Sequence, residues 1–301
     1  MKIAALMLAL SLGQSSSDPY VRSRVEPGDP TTQCLFWTVP KVTWYQSTLG
    51  NPQTKPTGSE LEAVRRSFQS WQQILTSCGN FSLEEGGQVE ERNVGYEVGG
   101  DNRNIVLFRQ RRCGDTSVVP ATDACWKDDS CGNAYDCWSN DTQTIAVTLT
   151  TYDEKSGIIY DSDIELNSPG FFFTTADTGG LCSPPNVTTN CISTDVQNTV
   201  THEVGHLLGL DHTNNPGSTM NPRAPPGETS KRTVDPGSRD FICNAYPKGQ
   251  ASQSCIHTPS DSTLGRKAQV SGCASTGAVA WLPALAGWAL LLVRRRRGAR
   301  S

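Results

Sequence analysis

The chain has 301 residues, is 36% hydrophobic and 19% charged, and carries 26 basic against 30 acidic side chains, a formal net charge of −4. Setting aside Lys2 and the arginines at 294–297 and 300 leaves 20 basic against 30 acidic side chains, the wrong sign for phosphate binding, which argues against a nucleic-acid partner. Eleven cysteines exceed cytosolic usage and point to an exported, disulfide-bonded protein of one or two domains.

In chain order, residues 1–13 read as a signal peptide: Lys2 is a minimal basic region, Ile3 to Leu12 are apolar, and Ser11 and Gly13 are small. Residues 14–33 are a short, polar, irregular extension. After Cys34, LFWTVPKVTWYQ is strand-like. The spacing of Leu61, Val64, Phe68, Trp71 and Leu75 draws one apolar stripe and predicts a helix over Ser59 to Ser77, with Thr57 and Glu60 at capping-box spacing before it. NIVLFR (104–109) reads as a buried strand, 113–143 as a cysteine-tied loop, and TIAVTLTT (144–151) as a half-buried strand. After the turn YDEKSG, IIYDSDIELN (158–167) is the returning strand. Residues 168–193 form a Gly/Pro-rich loop. A second helix runs from near Asp195 to Leu208, burying Val196, Val200, Val204 and Leu207, and Gly209 ends it in a left-handed conformation. A third starts after the cap Asp235 with Pro236 at its first position.

Residues 248–272 are a polar spacer, and 273–301 are a tail. The uncharged run 274–293 is long enough to span about 30 Å of hydrocarbon as a helix, and the arginines that follow stay on the cytoplasmic side, so the bulk of the chain is expected outside. Ten cysteines precede the tail, an even set for five disulfides. Spacing cannot fix the pairing. The local expectations are Cys182 with Cys191, Cys243 with Cys255, and two bonds among Cys113, Cys125, Cys131 and Cys137. Cys273 stands apart, beside the apolar run, where tail processing or lipid attachment could act.

The chemistry is concentrated in THEVGHLLGLDH (201–212), which holds three of the four histidines. Residues four apart share a helix face, so His202 and His206 present two imidazoles to one metal. Glu203 lies about 100° around the axis, where it can reach a water without acting as a ligand. A reversal at Gly209 brings His212 back as a third nitrogen. Three neutral imidazoles leave a zinc ion positively charged with one open position for water. The zinc acidifies the water and polarises a carbonyl, and Glu203 serves as general base.

HEVGHLLGLDH resembles the metzincin metallopeptidases, and more narrowly their matrixin branch, over about residues 34–247. The resemblance implies an α+β fold: a zincin-like catalytic domain with a twisted mixed sheet, two main flanking helices and a C-terminal helix. It implies one catalytic zinc on His202, His206 and His212, Glu203 as catalytic base, and Met220 in STMNP as an apolar floor rather than a ligand. TIAVTLTT would be the substrate-side edge strand, to which an extended peptide adds by backbone hydrogen bonds. Endopeptidase action on proteins or peptides by a monomer follows, with the segment after Met220, including Pro222, walling the pocket beyond the cut bond. A second, histidine-bound structural zinc is not expected, since His257 is the one spare histidine, and neither is a cysteine-switch propeptide. Asp153, Asp161 and Asp163 offer oxygens for calcium, but their spacing makes no loop motif, and solvated turn acids are the favoured reading.

The tail SGC, apolar span and RRRR resembles the C-terminal sorting signal of myxobacterial surface proteins. That implies a bacterial source, a processing peptidase acting near Cys273, and an exported protein at the cell surface or released. Two competing readings remain. A thermolysin-like site would need a carboxylate such as Glu228 as third ligand, in a poor helical context. A zinc-containing surface adhesin would keep the histidines without needing Glu203.

Overall fold

The computed structural model describes residues 19–182 and 190–255, and the backbone of 266–274. The expected signal peptide, His257 and the apolar run beyond residue 274 lie outside the described residues. Among those described, no helix is long and apolar enough to cross a membrane.

The principal elements are β1 (Lys41–Ser47), α1 (Ser59–Cys78), β2 (Ser82–Val89), β3 (Asn104–Arg109), β4 (Thr144–Asp153), β5 (Ile159–Asn167), α2 (Val196–Leu207), α3 (Pro236–Ala245) and β6 (Arg266–Ala274). The six strands form one mixed sheet in the order β6-β4-β5-β3-β1-β2. β2, β1, β3 and β5 run parallel to one another, while β4 is antiparallel to β5 and β6 is antiparallel to β4. The expected α+β class with a mixed sheet holds.

The apolar stripe of α1 does what its spacing predicts: Val64, Phe68, Trp71 and Leu75 are buried. Burial of each such side chain contributes about 1.5–3 kcal/mol. Phe68 stacks on Trp44 of β1, with ring centroids 3.9 Å apart. Trp71 reaches past α1 to α2, where its indole N–H donates to Thr201 O at 2.9 Å. The two helices are thereby registered against each other as well as packed.

Several expectations are corrected. No capping box forms before α1. The cap is Gly58, in a left-handed conformation that needs no side chain. Glu60 is buried and accepts instead from Asn51 N at 2.9 Å, tying down the loop after β1. β2 was not legible as a strand: its sequence SLEEGGQV carries two glycines and no apolar alternation, and it is recruited by parallel pairing with β1. Residues 14–33 were expected to be irregular, yet Val21 and Arg22 pair with Asp211 and Leu210.

The disulfides divide by range. Cys182–Cys191, Cys113–Cys137 and Cys125–Cys131 are the local bonds expected. Cys243 and Cys255 do not pair with each other. Cys243 bonds Cys78 at the end of α1, and Cys255 bonds Cys34, 221 residues away in sequence. Both are tertiary contacts that nearness in sequence cannot reveal.

TIAVTLTT is not an edge. β6 pairs along β4 from Arg266 opposite Asp153 to Ala274 opposite Thr144, with one irregularity after Cys273. The spacer-and-tail boundary therefore falls inside a strand. A free strand edge is a row of unpaired N–H and C=O groups, and the nearest extended segment satisfies it.

Asp153, Asp161 and Asp163 are not solvated, at 1%, 2% and 1% exposure. Asp153 closes its own turn, accepting from Ser156 N and Oγ, each at 2.8 Å. Asp163 accepts from Gly95 N at 2.6 Å and Ile105 N at 2.8 Å. Among the described residues these three acids form part of no cluster of three or more ligand groups placed to share a metal ion.

Candidate metal centre

α2 is capped by Asp195, whose carboxylate accepts from Asn198 N at 2.7 Å. Arg232 grips the same carboxylate with a bond from Nε at 2.8 Å and a second from Nη2. This fixes the helix start. Its end is held as firmly. Trp37 Nε1 donates to Leu207 O at 2.8 Å and the Tyr246 hydroxyl donates to Leu208 O at 2.7 Å, satisfying carbonyls that a helix end leaves bare.

Gly209 then turns the chain with φ 99°, a region other residues adopt only under strain. A methyl group there would also collide with Leu35 O. Leu210 and Asp211 leave the turn paired to Val21 and Arg22, and His212 follows. The reversal brings all three imidazoles together: His202 Nε2 lies 3.2 Å from His212 Nε2, and His206 Nε2 lies 3.2 Å from His202 and 3.1 Å from His212. Zinc–nitrogen bonds of about 2.05 Å in a tetrahedron require nitrogen separations of about 3.3 Å, so the triangle fits that ion.

The other ring nitrogens decide the tautomers. His202 Nδ1 donates to Thr219 O at 2.7 Å, and His206 Nδ1 donates to Leu210 O at 2.8 Å. Each bond turns the Nε2 lone pair toward the centre, the outer-shell support that metal-binding histidines require. Burial, reinforced by the neighbouring rings, holds His202 well below the ordinary imidazole range. Burial and His212 push His206 down to about 3. His212 is also lowered by burial, against an opposing pull from Asp211. All three therefore stay neutral near pH 7, the state a metal needs.

Glu203 is fully buried. Its Oε2 accepts from Thr148 Oγ1 of β4 at 2.8 Å. Thr148 is the partner of Glu203 that sequence reasoning missed: one threonine among several in TIAVTLTT, with nothing in the sequence to join it to residue 203. Val147 and Leu149, on the opposite face of the strand, line a separate cavity under the Cys113–Cys137 loop, together with Arg109 and Glu165.

The turn beneath the histidines is built from Ser218, Thr219 and Met220. Asp235, the cap of α3, accepts from Thr219 N at 2.8 Å and Ser218 Oγ at 3.1 Å. Burial works to raise the Asp235 carboxyl, but hydrogen bonds from Ser238 and Thr219 outweigh it and keep the group below the usual carboxylate range. Met220 is buried at 1% and packs under Gly205, where an added methyl would overlap its Sδ. Glu228 is taken by Lys231 Nζ at 2.9 Å and Ser230 Oγ at 2.7 Å, away from the histidines, which removes it as a third ligand. Asn214, Asn221, Pro222, Arg223, Pro225 and Glu228 line a cleft along the chain after Met220.

The matrixin family model matches residues 187–247. That stretch contains the three histidines, Glu203, Met220 and α3, so the match and the geometry meet at one place. It covers a fifth of the chain, and the strand that carries Thr148 lies outside it. No curated relative matches the chain. A matrixin-like metallopeptidase domain is supported, with a histidine triad suited to zinc.

Proposed function

We propose that the chain is a zinc endopeptidase that cleaves internal bonds of extracellular proteins, with Glu203 as general base. The carrying observation is the convergence of three neutral imidazoles on one point, two buried and His212 half-buried, each with its second nitrogen or its backbone tied down. His202, His206 and His212 would hold the ion. Zinc, when bound, supplies a Lewis acid and an acidified water.

The chain's own groups do the rest. Glu203, held by Thr148, accepts a proton from water and returns it to the leaving amine nitrogen. Burial of the carboxylate beside the histidines sharpens its interaction with a developing charge, because little water screens it. With β6 displaced, strand β4 would offer backbone groups to an extended peptide along its length, a mode of binding that recognises neither peptide terminus. The cleft after Met220 receives the side chain beyond the cut bond. Five disulfides suit an exported setting, and the apolar tail would anchor the protein to a membrane.

The test is cleavage of a peptide library by zinc-loaded protein beside Glu203→Gln. The expected result is turnover in the first and a fall of roughly 10²–10⁴-fold in the second. Metal analysis should find about one zinc in both. Equal zinc with no cleavage by either, even after the strand β6 is released as described below, would favour a zinc-containing binding module instead.

A further inference from the structure

The edge that a substrate needs is already covered by the chain itself. β6 is antiparallel to β4 and keeps register from Arg266–Asp153 to Cys273–Ala146. It also approaches α2. Within that register Ser271 stands opposite Thr148, the residue whose hydroxyl holds Glu203. The backbone of β6 thus runs past the proposed base along the path assigned to a peptide.

We propose that residues 266–274 are a tethered occupant of the peptide-binding edge, keeping the site latent until the strand is displaced; this rests on the peptidase reading and names its regulation. Main-chain hydrogen bonds along a strand give affinity with little regard for sequence, so the segment can fill a site meant for varied peptides. Its tether is short. Cys255 is bonded to Cys34, and ten residues separate Cys255 from Arg266. A linker of that length holds its end at an effective concentration on the order of millimolar. A free peptide must compete with that at every encounter. Residues Ser271, Gly272 and Cys273, singled out as a processing signal, lie within the occupant, so tail processing and exposure of the edge act on one segment.

The experiment inserts a recognition sequence for a site-specific protease between residues 256 and 265 of the full-length, zinc-loaded Glu203→Gln protein. Binding of a fluorescein-labelled peptide with the sequence of residues 266–274 is followed by anisotropy, and amide exchange is followed over 144–153. Cutting the insert and diluting should tighten peptide binding at least tenfold and speed exchange in β4. The uncut Ala268→Pro, Val270→Pro double variant should move both readouts the same way, because proline cannot donate to the ladder. Unchanged affinity and unchanged exchange after the cut would overturn the proposal. So would an intact-mass measurement showing zinc-loaded wild type cleaved within 266–274, since the strand would then be a substrate. These readouts need no catalysis. Failure of the released, zinc-loaded wild type to cleave any member of the peptide library, with the labelled peptide still bound, would overturn the peptidase reading and leave the occupied edge standing.

Discussion

Thr148 is where the proposed chemistry is most exposed to a single substitution. Its hydroxyl donates to Glu203 and nothing in valine can replace it. Thr148→Val leaves a buried carboxylate oxygen short of one donor, at a cost of about 1–3 kcal/mol. If that cost falls on the orientation of the base, turnover drops about 10- to 100-fold. Thr148→Ser should restore most of it. Unaltered kcat and an unaltered pH profile in Thr148→Val, with zinc retained, would show that the contact positions nothing. At this scale the text of the chain was informative where one short motif carries the function. Residues 201–212 disclosed the three histidines that converge and pointed to Glu203 as the proposed base. The carbonyls of Thr219 and Leu210, which orient His202 and His206, were not legible, because a backbone acceptor has no residue type to announce it.

Asp161 and Asp163 make the stability of the fold depend on pH. Burial raises Asp161 to about 6, and burial with the Asp161 charge pushes Asp163 up as well. Carboxyls whose folded values lie above their unfolded values favour the folded state fully below about pH 4. That contribution is lost as pH rises through about 6. Asp161→Asn removes a charge the fold disfavours. It should therefore unfold at higher temperature than wild type at pH 7.5, by the equivalent of about 1–3 kcal/mol, with the gap closing at pH 4. A gap that widens toward low pH would reverse the sign and refute the assignment.

Among elements, α2 and the turn below it depend on close approach. Gly205 faces Met220 Sδ and the Trp71 ring with no room for a methyl group. Gly205→Ala gains helix propensity but overpacks this contact, for a net loss of about 1–3 kcal/mol and a lower unfolding temperature. A rise in unfolding temperature would mean that the methionine turn yields easily. Helices α1, α2 and α3 were legible from apolar spacing and cap residues, which are local properties. β2 was not, because SLEEGGQV has neither alternation nor β-branched residues before Val89, and its strand form comes from the neighbour it pairs with. β6 was hidden for the same reason. A polar spacer looks the same in sequence whether or not an open edge lies within its reach.

Across the whole molecule, the two long-range disulfides set the frame. Cys78–Cys243 joins the end of α1 to α3, the helix capped by the residue that supports the methionine turn. Replacing both cysteines by serine should cost about 2–5 kcal/mol and leave the histidine geometry formed at low temperature. A variant that loses zinc at 4 °C while still folded would show the bond shaping the site rather than stabilising the domain. Local disulfides could be proposed from spacing. The bonds to Cys34 and Cys78 could not, since they record which distant elements meet.

The nested arrangement of Cys34–Cys255 around Cys78–Cys243 has one more outcome. A backbone nick anywhere from residue 79 to residue 242 leaves both fragments stapled at least twice. Such a clipped protein would migrate as a single species without reductant and fall into two pieces with it. Among hostile proteases, accidental scission in the long surface loops would cost it no mass.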